Sequence, residues 1–190
     1  MIVLILGLIV FLGIHSLPMA PDLRARVREL LGENGYRALV GVVSLVGLAL
    51  IVWGYGLARE APVVVWSPPL WTQHVTALLV LIAFVLIAAA YIPGRIREKA
   101  RHPMLAGVKV WAFAHLISNG TLADIVLFGA ILAWAVVDRI SLKRREAAGL
   151  VTVTGGPARN DLVAIVVGVV AFVVFALWLH EWLIGVSPFA

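Results

Sequence analysis

Of the 190 residues, 63% are hydrophobic and 13% charged, whereas soluble domains are usually about 45–50% apolar. Together with a mean hydropathy of +1.06, this excludes a soluble domain and defines an integral membrane protein. Cysteine is absent, so disulfides, thiolate haem ligation, iron–sulfur clusters and cysteine-zinc sites are excluded as well. The net charge of +5 does not point to nucleic acid. The basic residues fall in three short clusters between apolar runs, which is the positive-inside pattern of a membrane protein, with attraction to anionic lipid headgroups as a consequence.

A hydrocarbon core of about 30 Å takes roughly 20 apolar helical residues to cross, so uncharged intervals mark the spans. Residues 1–21 form the first. They lack the basic start of a signal peptide, and Pro18 and Pro21 flank the one plausible cleavage point, so this span is expected to be retained. The following basic stretch, 22–32, has an amphipathic helical pattern and is expected to lie in the interface. The second span lies between Arg37 and Arg59. Its small residues Gly41, Ser44, Gly47 and Gly54 predict close approach to another helix.

Pro62, Pro68 and Pro69 break helix early in the next uncharged interval, leaving 71–92 as the third span. The apolar stretch 104–138 would be a helix about 50 Å long, too long for one crossing. Asn119 and Gly120 offer a break, giving a short fourth span at 108–118 and a fifth at 121–137. The polar loop that follows, to Asn160, is expected to be long and mobile. The last span is 162–184.

The expected fold is therefore all-α: a single polytopic bundle over residues 1–190 with six transmembrane helices. The Lys/Arg distribution supports that count. The loops at 18–37, 94–102 and 139–160 carry four, four and five basic residues, while the intervening loops carry Arg59 alone and none. Six spans with both termini in the periplasm place every basic loop in the cytoplasm of a bacterial inner membrane.

Two histidines fall within or at the end of spans, where an imidazole is costly unless a partner, water or cofactor holds it. Trp111, His115 and Asn119 recur at one-turn spacing, so they share a helix face, with Ala112 beside them. His15 follows Phe11 and precedes Met19 by one turn each. Two neutral imidazoles on different helices are what axial ligation of a haem iron requires, with Nδ1–H fixed by an acceptor and Nε2 presenting its lone pair. If Lys109 marks the cytoplasmic entrance of its span, both lie roughly 10 Å deep; if Arg101 marks it, His115 lies far deeper and pairing requires a tilted or re-entrant segment.

A structural reading fits the same pattern. In it His115 is packing glue between helices, Trp111 an interfacial anchor and His15 a group near the headgroups. The face pattern alone favours it. Lys109 and Arg101 are candidate partners for haem propionates. His102, just before Pro103, is expected to order its turn, although it too could reach a propionate. His74 and the pair His180–Glu181 are expected at the outer interface, the latter able in principle to relay protons. No His-Glu-x-x-His, phosphate-binding loop, nucleophile elbow or dinucleotide fingerprint occurs. Asp124, Asp138 and Glu181 flank spans rather than bisect them, which argues against a proton-driven transporter.

Several local sequences together resemble the NnrU family of bacterial membrane proteins, which is related to plant 15-cis-zeta-carotene isomerase. They are His15-Ser16-Leu17, the stretch from Gly35-Tyr36-Arg37 to Gly47, Arg101-His102-Pro103 with Trp111, His115, Asn119 and Gly120, and the ending from His180 to Pro188. For the isomerase branch the resemblance implies a haem b held by histidines that align with His15 and His115. It also implies a functional cysteine three residues before the second ligand, where this chain carries Ala112, so that sulfur chemistry does not carry over. The family name implies an association with nitrite and nitric oxide reduction. The leading expectation is thus a haem b protein with an isomerase, redox or nitric-oxide-linked role, acting on an apolar substrate or nitric oxide. The alternative is a non-enzymatic membrane factor supporting denitrification complexes.

Overall fold

A computed structural model describes residues 1–189. It is helical: α1 (Ile2–His15), α2 (Pro21–Glu60), α3 (Trp71–Tyr91), α4 (Arg95–Ala100), α5 (Pro103–Ser118), α6 (Leu122–Ala147), α7 (Arg159–Val174) and α8 (His180–Ile184), with a 3₁₀ turn at Leu17–Met19 and a π-helical turn at Phe175–Leu179 between α7 and α8. Four stretches are long and apolar enough to cross a membrane, namely α2, α3, α6 and the continuous Arg159–Ile184. The other two expected spans, α1 and α5, are apolar but only 14 and 16 residues long, about 21 and 24 Å of helix. Large apolar side chains such as Val42, Leu45, Val52, Val166 and Val170 are exposed, which suits contact with lipid.

The chain forms two compact units, 1–66 with 121–142 and 67–120 with 143–190. In the first, α1 runs antiparallel to α2. A Cβ at Gly47 would meet the backbone of Phe11 at 2.8 Å, and one at Gly54 the backbone of Leu4 at 2.2 Å. Gly47 and Gly54 therefore form the close-packing face expected of them, whereas Gly41 has nothing within 4 Å and lies off that face. The expected interfacial helix is the start of α2, set off by a kink at Gly32 (φ 68°, ψ 173°), a left-handed-side φ that favours glycine. Arg28 bonds Glu33 across the kink and Arg37 bonds it from one turn further on, and Arg24 and Arg28 each lie 5.8 Å from the centre of the Tyr36 ring.

The expected break at Asn119 is present. Asn119 is extended, and α6 starts under a side-chain cap in which Thr121 Oγ1 donates to Asp124 Oδ2 (2.6 Å) and the Asp124 N–H donates back to Thr121 Oγ1 (3.3 Å). Tyr55 donates to the other carboxylate oxygen at 2.5 Å. Buried Asp124, 4% exposed, is thus fully bonded as a helix-start residue.

In the second unit α3 is antiparallel to both α5 and α7. Gly107 packs on the Ala83 carbonyl and Gly168 on Val85, while Thr76 Oγ1 donates to the Ala114 carbonyl at 2.9 Å. α6 continues ten residues past Val137, the expected end of the fifth span, to Ala147, because Lys143, Arg144 and Arg145 suit a helix C-terminus emerging from the bilayer. The last part of the polar loop is packed. Gly156 sits against the Pro93 carbonyl, Asn160 Nδ2 donates to that same oxygen at 2.7 Å, and the Ile96 N–H donates to Asp161 Oδ1 at 2.9 Å.

Candidate functional site

Each intramembrane histidine is prepared in the same way by its own helix. His15 Nδ1 donates to the Phe11 carbonyl at 2.7 Å, and His115 Nδ1 to the Trp111 carbonyl at 2.8 Å. Both bonds reach back four residues, to a backbone carbonyl one turn earlier in the same helix. With the proton on Nδ1, the lone pair resides on Nε2, the tautomer suited to a metal ligand. Both rings are half-buried.

An aromatic ring accompanies each imidazole. Phe11 lies 4.2 Å from His15 between centroids, and Trp134 of α6 meets it edge-on at 6.1 Å and 88°. Trp134 Nε1 donates to Ser16 Oγ at 3.2 Å and Ser16 to the Leu12 carbonyl at 2.7 Å, which holds the indole in place. Trp134 was not singled out from the sequence, since nothing in one helix's spacing says which residue of another will face it. Trp111 lies 4.9 Å from His115. Asn119, one turn beyond His115 on the same face, donates to the His115 carbonyl at 2.8 Å and so caps α5 rather than meeting the imidazole. Ala112 is fully buried.

His115 lines a cavity of about 360 Å³ within the second unit, between α3, α5 and the C-terminal helix. Its body is apolar, with Val80, Ala83, Phe84, Ile87, Val108 and Phe172. Phe84 meets Phe172 at 6.1 Å and Phe175 at 5.7 Å. Its other end is polar, with Gln73, Thr76, Ser118, Asn119, His180 and Ser187. His180, expected at the outer interface as an anchor or, with Glu181, a proton relay, lines the same cavity as His115, and its Nδ1 donates to the Val186 carbonyl at 2.6 Å.

The remaining candidates lie elsewhere. Arg101 Nε bonds Glu146 Oε2 at 3.2 Å, and His102 Nε2 bonds Glu146 Oε1; His102 and Glu146 are 14% and 12% exposed. This cluster ties the turn before α5 to the end of α6, the ordering role expected for His102, and it engages the Arg101 charge. Lys109 is half-buried on α5, and His74 is exposed near the start of α3.

These features define a polytopic helical membrane protein with two imidazoles on short apolar helices, each held with Nδ1–H bonded to its own helix. Among the described residues no group of three or more His, Asp or Glu side chains converges as a metal site. The chain belongs to the NnrU family: the family model described as "NnrU protein" matches residues 3–188. No curated protein and no solved structure matches it.

Proposed function

We propose that this NnrU family member is a haem b protein of the bacterial inner membrane, in which His15 and His115 would hold the haem, with both termini in the periplasm. The observation that carries the reading is the shared Nδ1–H bond to the carbonyl four residues back. Packing glue needs only some hydrogen bond, whereas ligation needs the proton held on Nδ1, and both histidines have that arrangement. The residues fit a haem in two further respects. Phe11, Trp134 and Trp111 supply flat apolar walls beside the imidazoles, and Lys109 is the cation we assign to a propionate, since Glu146 engages Arg101.

A haem held in this way supplies one-electron redox chemistry and affinity for nitric oxide. The role we favour is accordingly redox or nitric-oxide-linked. An isomerase role is less well supported, because buried Ala112 has no sulfur to offer the iron. The chain's own contribution is to fix each imidazole's tautomer and rotamer and to keep water from the ligand nitrogens.

The test is ligand replacement in protein purified after haem-replete expression. His15→Ala and His115→Ala should each abolish or change the haem spectrum, and His74→Ala should leave it as it is. An unchanged spectrum in either ligand variant would remove that histidine from the site.

A further inference from the structure

We propose that the cavity bounded by α3, α5 and the C-terminal helix binds a membrane-soluble phenol or hydroquinone, its ring among the phenylalanines and its hydroxyl at the polar end. The order of residues along the helices sets the cavity's polarity. Thr76 is level with Ala114 and Ala83 with Gly107, so Gln73, Ser118 and Asn119 lie toward one end and Ile87 and Val108 toward the other. Such a gradient suits a molecule with an apolar body and one polar end. The Phe84, Phe172 and Phe175 rings, meeting at tilted and edge-on angles, favour a flat ring over an acyl chain.

Hydrogen-bond bookkeeping at the polar end selects the ligand's chemistry. Thr76 and Ser118 both donate to the Ala114 carbonyl (2.9 and 3.1 Å), Asn119 Nδ2 donates to the His115 carbonyl (2.8 Å), and His180 Nδ1 to the Val186 carbonyl (2.6 Å). Asn119 Nδ2 also donates to Ser118 Oγ at 3.3 Å, so these donors are all directed away from the cavity, and what the residues offer it are acceptors: the Thr76 hydroxyl oxygen, Asn119 Oδ1 and His180 Nε2. A hydroxyl can donate to these, whereas a ketone or ether cannot. Gln73 at the exposed rim and Ser187 retain donors for the same hydroxyl's oxygen.

The π-helical turn is an independent pointer. In an unbroken α-helix, Leu179, seven residues after Phe172, would return to within roughly 20° of its direction, and His180 would lie about 80° away. The extra residue in the wide turn slips the register by one, so Phe172, Phe175, Ala176 and His180 line the cavity while Leu179 does not. The irregular turn exchanges leucine for imidazole on this wall, and such turns concentrate at functional sites.

His115 and Trp111 also line this cavity, but the inference does not rest on haem ligation and is tested on the full chain in lipid nanodiscs by calorimetric titration. The probes are 4-heptylphenol and its methyl ether, 4-heptylanisole, with protein both haem-free and haem-loaded. The phenol should bind one per chain, about tenfold tighter than the ether, which is the worth of one good hydrogen bond kept or lost. His180→Phe should bring the two within about twofold. Equal affinity of phenol and ether in wild-type protein overturns the proposal without recourse to any variant, as does a failure of the phenol to bind. Displacement of the phenol by haem also overturns it, and would assign the cavity to the porphyrin instead.

Discussion

Gly54→Ala should destabilise the first unit, and the same change at Gly41 should not. At Gly54 the added Cβ falls 2.2 Å from the Leu4 amide nitrogen and 2.7 Å from Leu4 Cα. These are backbone atoms, so no side chain can rotate aside. Ordinary contact begins at 3.4 Å; the difference, 3.4 − 2.2, requires α1 to withdraw by about 1.2 Å at that point. The withdrawal loosens the Gly47–Phe11 contact on the same face. Overpacking of this kind costs about 1–3 kcal/mol, more than the gain of up to about 1 kcal/mol from replacing a helical glycine by alanine. At Gly41 nothing lies within 4 Å, so only the gain remains. Thermal unfolding in detergent, followed by intrinsic fluorescence, should show Gly54→Ala melting several degrees below wild type and Gly41→Ala at or slightly above it. Equal melting temperatures for the two variants would refute the close-contact argument.

Three further outcomes follow. His102→Ala should loosen the α6 terminus, because it leaves Glu146 with one fewer charge-assisted bond; Glu146→Gln should loosen it less, and limited proteolysis near residues 145–150 reads both. Reporter fusions at Ala190 should report a periplasmic C-terminus, since all three basic clusters then face the cytoplasm; cytoplasmic activity would contradict the six-span count. Wild-type protein expressed in cells that accumulate the cis substrate of zeta-carotene isomerase should yield little isomerised product by chromatography, because Ala112 carries no sulfur; abundant product would restore the isomerase reading.

The apolar helices were legible because uncharged runs leave a one-dimensional trace, and α5 does end at Asn119, but α1 already ends at His15, six residues short of Pro21, and α2 and α6 run on through basic stretches. Gly47 and Gly54 were legible as a packing face for the same reason: seven residues apart, they return to one side of a helix. Gly41 did not belong to that face, since composition alone does not say where the partner helix stops. The extent of α6 was missed because charged residues such as Lys143 and Arg144 continue a helix readily once it has left the bilayer. His15 and His115 stood out as costly groups in hydrocarbon, and the carbonyls that hold them, four residues back, follow from helix geometry. Trp134, the Glu146 partner of Arg101 and the cavity facing His180 depend on which helices meet, or on a one-residue slip, and neither is written in local spacing.

The most direct measurement of the central claim is the absorption spectrum of the purified wild-type chain, oxidised and then dithionite-reduced, with haem quantified against protein. Two imidazoles presenting Nε2 predict one haem b per chain with a bis-histidine-type spectrum in both oxidation states. Folded, monodisperse protein that remains colourless after haem-replete expression would contradict the account and leave His15 and His115 as packing residues.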